Sequence, residues 1–236
     1  MGRTLIVGDV HGCAAELGSL LEHLSPGADD QVLFVGDLVA RGPDSRGVLA
    51  LYRAVGGRSV LGNHEARLLE ARRARALGHK RPRLAPPDYA LLHQLSEADW
   101  ALLAELPLHW PLPAHDAWIV HAGIAPELSL EAQDAWTLTH VRSLDATGRP
   151  SERHDQEPWA ARYRSGPHIV FGHNSRLGLQ LQPRATGLDT GCVYGGRLSA
   201  LVLGAGQAIP TDVEQRRALV HSVPAARRYY LGKASV

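Results

Sequence analysis

Short apolar runs recur along this chain, and each one gives way to a glycine beside Asp, Asn or His. Thr4-Leu5-Ile6-Val7 leads into Gly8-Asp9-Val10-His11-Gly12, and Val32-Leu33-Phe34-Val35 into Gly36-Asp37-Leu38-Val39-Ala40-Arg41-Gly42. Ser59-Val60-Leu61 leads into Gly62-Asn63-His64-Glu65. Trp118-Ile119-Val120 delivers His121-Ala122-Gly123, and His168-Ile169-Val170-Phe171 delivers Gly172-His173-Asn174. Runs this short, bounded by turn residues, read as buried strands. Between them apolar residues fall at helical spacing from Ala14 to Leu24, from about Asp44 to Ala54, and from Glu65 to about Leu77. Pro26-Gly27 and Gly56-Gly57 stop the first two helices. The alternation β-α-β-α-β predicts a layered α/β fold whose first sheet is largely parallel.

Further along, a Pro- and Arg-rich loop over 78–87 precedes helical pieces near 88–95 and 97–105. Ser96 serves as N-cap of the second, with Asp99 as its capping-box partner. Residues 127–167 have weak periodicity and read as loops and short helices over the site. Leu179–Gln182 and Leu198–Leu203 suggest a second sheet, and the tail from Val213 carries little pattern. Neither a repeat nor a linker interrupts the chain, so a single domain over 1–236 is expected, with a helical insertion around 78–112.

Composition narrows the class. The 236 residues are 44% hydrophobic, ample for a core, and no apolar run approaches the ~20 residues of a membrane span. Met1-Gly2-Arg3 runs straight into the first strand, so no signal peptide is expected. Cys13 and Cys192 are too few for a disulfide framework, which points to a reducing cytoplasm. The net charge of +1 conceals a basic stretch: Arg67, Arg72, Arg73, Arg75, His79, Lys80, Arg81 and Arg83. It reads either as a solvated helix face and loop or as a field that draws in a polyanion. Nucleic acid is not the expected partner, because aromatic residues do not interleave with these charges.

The strand-end residues Asp9, His11, Asp37, Asn63, His121 and His173 mix oxygen and nitrogen donors. That mixture suits Mn, Fe or Zn better than Ca or Mg. One Gly-Asp or Gly-His pair is common by chance; five at strand ends, in this order, are not. The ordered motifs resemble the calcineurin-like metallophosphoesterases, in the branch of phosphoprotein phosphatases and symmetrical diadenosine tetraphosphate hydrolases. The resemblance runs from Thr4 to about Leu201 and is weakest over 66–117 and 124–167. It implies a four-layer α/β/β/α sandwich, two mixed sheets flanked by helices, holding two divalent metal ions, with Mn the first choice and Fe, Zn or Co as alternatives. It places Asp9, His11 and Asp37 on one ion and Asp37, Asn63, His121 and His173 on the other, with Asp37 as the bridge. It also implies that Arg41 binds phosphate and that His64 acts near the leaving group.

Two ions about 3.5–4 Å apart clamp a phosphoryl group and lower the pKa of a shared water, so that hydroxide attacks phosphorus without a protein nucleophile. His64 is expected outside the ligand set, since neighbours in an extended turn point apart. The resemblance also implies a second phosphate-binding arginine between His121 and His173, with Arg142 chosen over Arg162 and Arg164. Asp189, in Leu188-Asp189-Thr190-Gly191-Cys192, is a candidate to orient a ligand histidine. Trp136 and Trp159 are candidates to stack on a base.

Ala40 speaks to substrate. Related protein phosphatases usually carry Asp there, paired with the histidine matching His64. A nucleotide phosphate, with a second pKa of about 6, leaves with less help than a serine hydroxyl. Ala40 therefore tilts the choice towards anhydrides and symmetrical hydrolysis of dinucleoside polyphosphates. Glu65 is the residue protein phosphatases have, and the 51 residues between His121 and His173 leave little room for a nucleoside-binding cap. A protein phosphatase acting on phosphoproteins, an endopolyphosphatase and a non-catalytic phosphate sensor are the alternatives.

Overall fold

A computed structural model describes residues 2–80 and 82–232; Arg81 of the basic stretch lies outside the described residues. The first half runs β1 (Thr4–Val7), α1 (Ala14–Leu24), β2 (Gln31–Phe34), α2 (Ser45–Ala54), β3 (Arg58–Ser59), α3 (Asn63–Ala76), α4 (Pro86–Gln94), α5 (Glu97–Ala104), β4 (His109–Leu112) and β5 (Ala117–Val120). The second half runs α6 (Ala135–His140), β6 (Ser143–Leu144), β7 (Pro150–Ser151), β8 (Glu157–Pro158), α7 (Trp159–Arg162), β9 (His168–Phe171), β10 (Gln180–Gln182), β11 (Ala185–Gly187), β12 (Arg197–Leu203), α8 (Val213–Arg217) and β13 (Val220–Pro224).

These strands form two five-stranded sheets, ordered β13-β12-β1-β2-β3 and β10-β11-β9-β5-β4, and a small sheet β7-β6-β8. In the first sheet β1, β2 and β3 run parallel while β12 pairs antiparallel with β1. In the second, β5, β9 and β11 run parallel. Its outer strands β10 and β4 pair antiparallel with β11 and β5, so both sheets are mixed.

The layers follow from the two-residue period of the strands. Leu5, Val7, Val32 and Phe34 join Leu17, Leu20, Val48, Leu49 and Leu68 in a core between the first sheet and helices α1–α3. The alternate residues Ile6, Leu33 and Val35 meet Ile119 and Val170 in a second core between the sheets. Val120, Ile169 and Phe171, on the far face of the second sheet, pack with Leu138, Trp159 and Ala160 from α6 and α7. The order is helices, sheet, sheet, helices, as the resemblance implies. Parallel strands β1, β2, β5 and β9 end at one edge of this sandwich, where open α/β sheets gather their chemistry.

Several local expectations differ from what is observed. Leu198–Leu203 belongs to the first sheet, as β12, not to the second. It is apolar on both faces, and such a run does not reveal which sheet it joins. Residues 78–112 hold α4 and α5, which pack on α3, but end in the edge strand β4. Pro111 masks β4 in the sequence, and an edge position is where a strand tolerates proline. The short strands β6, β7 and β8 break up a region expected to hold loops and helices, and β13 lies in the tail that carried little pattern. The Ser96–Asp99 capping box is present, with Asp99 N–H 3.2 Å from Ser96 Oγ and Ser96 N–H 2.9 Å from Asp99 Oδ2.

Candidate dinuclear metal centre

The loops at the strand ends adopt a backbone that few side chains tolerate. His11, Asp37, Ala40, Arg41 and His173 all have positive φ, between 47° and 75°. Such residues persist only where the surroundings over-determine them. Here they do: the Asp37 carbonyl accepts the N–H groups of Val10 and His11 at 3.1 and 2.7 Å. The Glu65 carboxylate accepts three more, from Asp37 (2.9 Å), Val39 (3.0 Å) and Gly62 (3.1 Å). Glu65 thus pins the loop after β2 to the first turn of α3. Gly62 is required there, because a Cβ would stand 2.2 Å from Asp37 Oδ1. Gly172 is required for the same reason, its Cβ falling 2.0 Å from Asp9 Oδ1.

Asp37 is the shared member of two donor sets. The ligand atoms of Asp37, His121 and His173 lie within 4.8 Å of one another, and so do those of Asp37, His11 and His64. Asp37 Oδ2 stands 3.4 Å from His11 Nε2 and 3.5 Å from His121 Nε2. Asn63 Oδ1 stands 3.0 Å from His121 Nε2 and 3.1 Å from His173 Nδ1. Asp9, buried beside this group, accepts the His173 N–H at 3.0 and 3.2 Å. His11, Asp37, Asn63, His121 and His173 therefore converge, Asp9 is tied to them through the His173 N–H, and the His64 ring stands edge-on to His11 at 4.9 Å.

The outward nitrogen of each ligand histidine is held by a backbone carbonyl. His121 Nδ1 lies 2.8 Å from Val35 O, His173 Nε2 3.1 Å from His140 O, and His11 Nδ1 3.4 Å from Val39 O. Donating there leaves each inward nitrogen as a bare lone pair. Asn63 Oδ1 then faces two imidazole lone pairs with no proton between them. Acceptors packed this closely suit a cation, and the donor set fits two divalent ions. The expectation for Asp189 is corrected at this point. Its carboxylate accepts the Gly191 N–H at 3.1 Å, so it shapes a turn, and carbonyls do the orienting.

Charge tells the same story. Burial first, then the charges of Asp189 and Asp37, push Asp9 well above the carboxylate range. Burial raises Asp37 to about 7 and Asp189 to about 6. Burial lowers His121 to about 4, and burial with Arg41 lowers His11 and His64. Neutral imidazoles and strained carboxylates are what a bound cation converts into ligands.

The turn that carries His64 is helical, not extended as the sequence suggests, and the His64 ring lies within reach of the Asp37–His11 donor set. Asn63 and His64 open helix α3 rather than lying in an extended turn. Helical neighbours point about 100° apart, and the His64 N–H donates to Asp37 Oδ1 at 3.1 Å.

Arg41 is held from several sides. Its N–H donates to Asp88 Oδ1 of α4 (2.8 Å), its guanidinium lies 3.0 Å from His11 Nε2, and Tyr194 and Tyr230 stack on it at 5.6 and 5.8 Å. Arg142 is buried and lines a recess with Arg41, His173, Arg176 and Tyr194. Arg162 instead pairs at the surface with Glu157. Asp88, Tyr194 and Tyr230 carry no sequence signal; Tyr194 lies just after Cys192 and Tyr230 in the tail that carries little pattern. Trp159 is core, donating to Ala122 O at 3.1 Å, whereas Trp136 is exposed and stacks on His140. In the basic stretch, Arg72 pairs with Glu97 and stacks on Trp100, and Arg75 contacts His93, so those two serve packing between helices.

A family model for calcineurin-like phosphoesterases matches residues 2–204. The chain belongs to that family. It is a metal-dependent phosphohydrolase, and the His and Asp groups just described are candidates to hold its metal. Curated relatives bear the name symmetrical bis(5'-nucleosyl)-tetraphosphatase. The one from Janthinobacterium sp. (strain Marseille) is 31% identical, with 85% of this chain and 92% of the relative covered. The one from Shewanella sediminis (strain HAW-EB3) is 32% identical, covering 86% and 95%. A solved structure described as a candidate diadenosine tetraphosphatase is 37% identical, covers 95% of this chain and 94% of its own, and has a TM-score of 0.79. Among the described residues no helix is long and apolar enough to cross a membrane.

Proposed function

We propose that this chain hydrolyses dinucleoside polyphosphates symmetrically, cutting diadenosine tetraphosphate into two molecules of ADP, with manganese as the working metal. The observation that carries the reaction class is the position of Asp37, shared between two convergent donor sets. The substrate rests on the tetraphosphatase relatives, which match nearly end to end.

Asp9, His11 and Asp37 would hold one ion, and Asp37, Asn63, His121 and His173 the other. Bound there, the ions supply Lewis acidity and a water of lowered pKa. The chain supplies the rest. Arg41, fixed by Asp88 and two tyrosines, presents a planar fork to the phosphoryl oxygens. Arg142 faces the same recess and meets charge on the neighbouring phosphate. His64, outside the ligand set, stands near the departing oxygen and can share a proton with it.

Glu65 does not argue for a protein phosphatase. Its carboxylate is consumed by three backbone N–H groups and reports on loop architecture, not on substrate. A cytoplasmic setting belongs to the proposal, supported by two free, buried thiols.

Product analysis on diadenosine tetraphosphate, long-chain polyphosphate and a phosphopeptide, with manganese, tests the reading. ADP alone from the first, with little turnover of the others, is expected. Rapid phosphate release from the phosphopeptide would replace the substrate assignment.

A further inference from the structure

The chain beyond residue 204 lies outside the family match, yet its last described segment is built into the site. After β13 it crosses back over the metal-centre end of the molecule, tethered at every step. Ala225 N–H donates to Gly196 O at 2.9 Å, and both Tyr229 and Tyr230 N–H groups to Val193 O at 3.0 Å. The buried Glu16 of α1 accepts the Ala226 N–H (2.9 Å) and the Tyr229 hydroxyl (2.8 Å) on one carboxylate oxygen. Tyr230 then stacks on Arg41. A segment held this way is a wall.

What it walls is a cavity of about 540 Å³ between the tail, α4 and the loop before α2. That volume falls inside the roughly 300–1,000 Å³ range of small-molecule sites. Arg41, Arg46, Arg227 and Arg228 contribute four positive charges to the lining, against Asp44, whose carboxylate already accepts the Gly47 N–H as a helix cap. Leu91 and Tyr229 line the same cavity, the Tyr229 ring carrying the Arg227 guanidinium 5.3 Å from its centroid. Arg41 also lines the recess beside His173, so its guanidinium is the doorway between cavity and metal centre. By contrast, a cavity of about 640 Å³ around Thr4, Trp110 and His115 holds none of the donor set.

We infer that this cavity is the subsite for one nucleoside diphosphate half of the substrate. The phosphates would run from the metal centre past Arg41 to Arg227 and Arg228, and the base would lie against Tyr229 and Leu91. Cationic forks for phosphates and an aromatic face for a base are the two chemistries such a ligand requires. The inference rests on the nucleotide reading of the site, and its test separates the two.

The variant is Arg227→Ala/Arg228→Ala, both exposed in the tail. The first readout is kcat/KM on diadenosine tetraphosphate against para-nitrophenyl phosphate, a small ester that needs only the metal centre. The loss on the dinucleotide should exceed the loss on the small ester by roughly tenfold, carried by KM, the size of one charge-assisted contact. The second readout is inhibition of para-nitrophenyl phosphate turnover by ADP, whose Ki should rise by a similar factor. A Ki for ADP equal to that of the unaltered chain overturns the subsite, whatever the substrate proves to be. Failure of the unaltered chain to cut diadenosine tetraphosphate, with the Ki for ADP still raised in the double variant, overturns the substrate reading and leaves the nucleotide subsite standing. Tyr229→Phe provides a control for tail anchoring: it removes only the tether to Glu16 and keeps the aromatic face, so it should move Ki less than the arginine pair.

Discussion

His64 and Ala40 stand close in the chain's chemistry and make opposite demands on it. His64 is buried, stands against His11 and donates its backbone N–H to Asp37. His64→Ala should lower kcat by about 10²-fold, the lower end for a general acid–base residue, while metal content measured on the purified protein stays intact. Loss of metal together with activity would return His64 to the ligand set. Ala40 has φ of 75°, a conformation Asp tolerates better than most residues, and is buried. Ala40→Asp should therefore fold, at some cost for burying a carboxylate. It should raise the ratio of phosphomonoester to phosphoanhydride turnover, because only the poorer leaving group profits from a strengthened proton donor. If both activities change equally, Ala40 says nothing about substrate.

At the scale of elements, the site depends on how two loops are stapled to one helix. Glu65 turns the N-terminus of α3 into a clamp on the Asp37 loop. Glu65→Gln keeps the shape but replaces one acceptor with a donor among N–H groups. Leaving a buried donor unmatched costs about 1–3 kcal/mol. A lower urea midpoint and weaker manganese binding by calorimetry are expected together; a midpoint equal to that of the unaltered chain would show that Glu65 is dispensable. The six candidate ligands that gather at the strand ends could be picked out in the sequence because strand ends, glycines and donor types are local signals. Glu65's role could not, since it depends on the loop at 36–42 folding back across 26 to 28 residues. Asp88 and Tyr230 were hidden for the same reason: their relation to Arg41 exists only once α4 and the tail have packed. The strands β4 and β13 were hidden because edge strands are short, half-polar and tolerant of proline.

The whole molecule carries a pH dependence that is separable from the metal centre. His168 opens β9, at the other end of that strand from His173, and is 2% exposed. Its Nε2 lies 2.9 Å from Thr186 Oγ1, while its Nδ1 has no hydrogen-bond partner among the described residues. Burial, with Arg216 and Arg184 adding to it, pushes its pKa down to about 3 from an unfolded value of 6.5. The unfolded chain therefore takes up this proton first, and His168 weakens the fold as pH falls from 6.5 towards 3. Above pH 6.5 both states are neutral there and nothing is lost. Between pH 7.5 and pH 5 the loss from this one residue is about 2 kcal/mol, 1.5 units at roughly 1.4 kcal/mol each. His168→Gln preserves an acceptor for Thr186 and cannot titrate. Its unfolding free energy, from urea titrations at the two pH values with EDTA present, should fall by about 2 kcal/mol less than that of the unaltered chain. Parallel losses in the two proteins would move the acid sensitivity to the ligand histidines, which also sit buried and neutral between the sheets' ends.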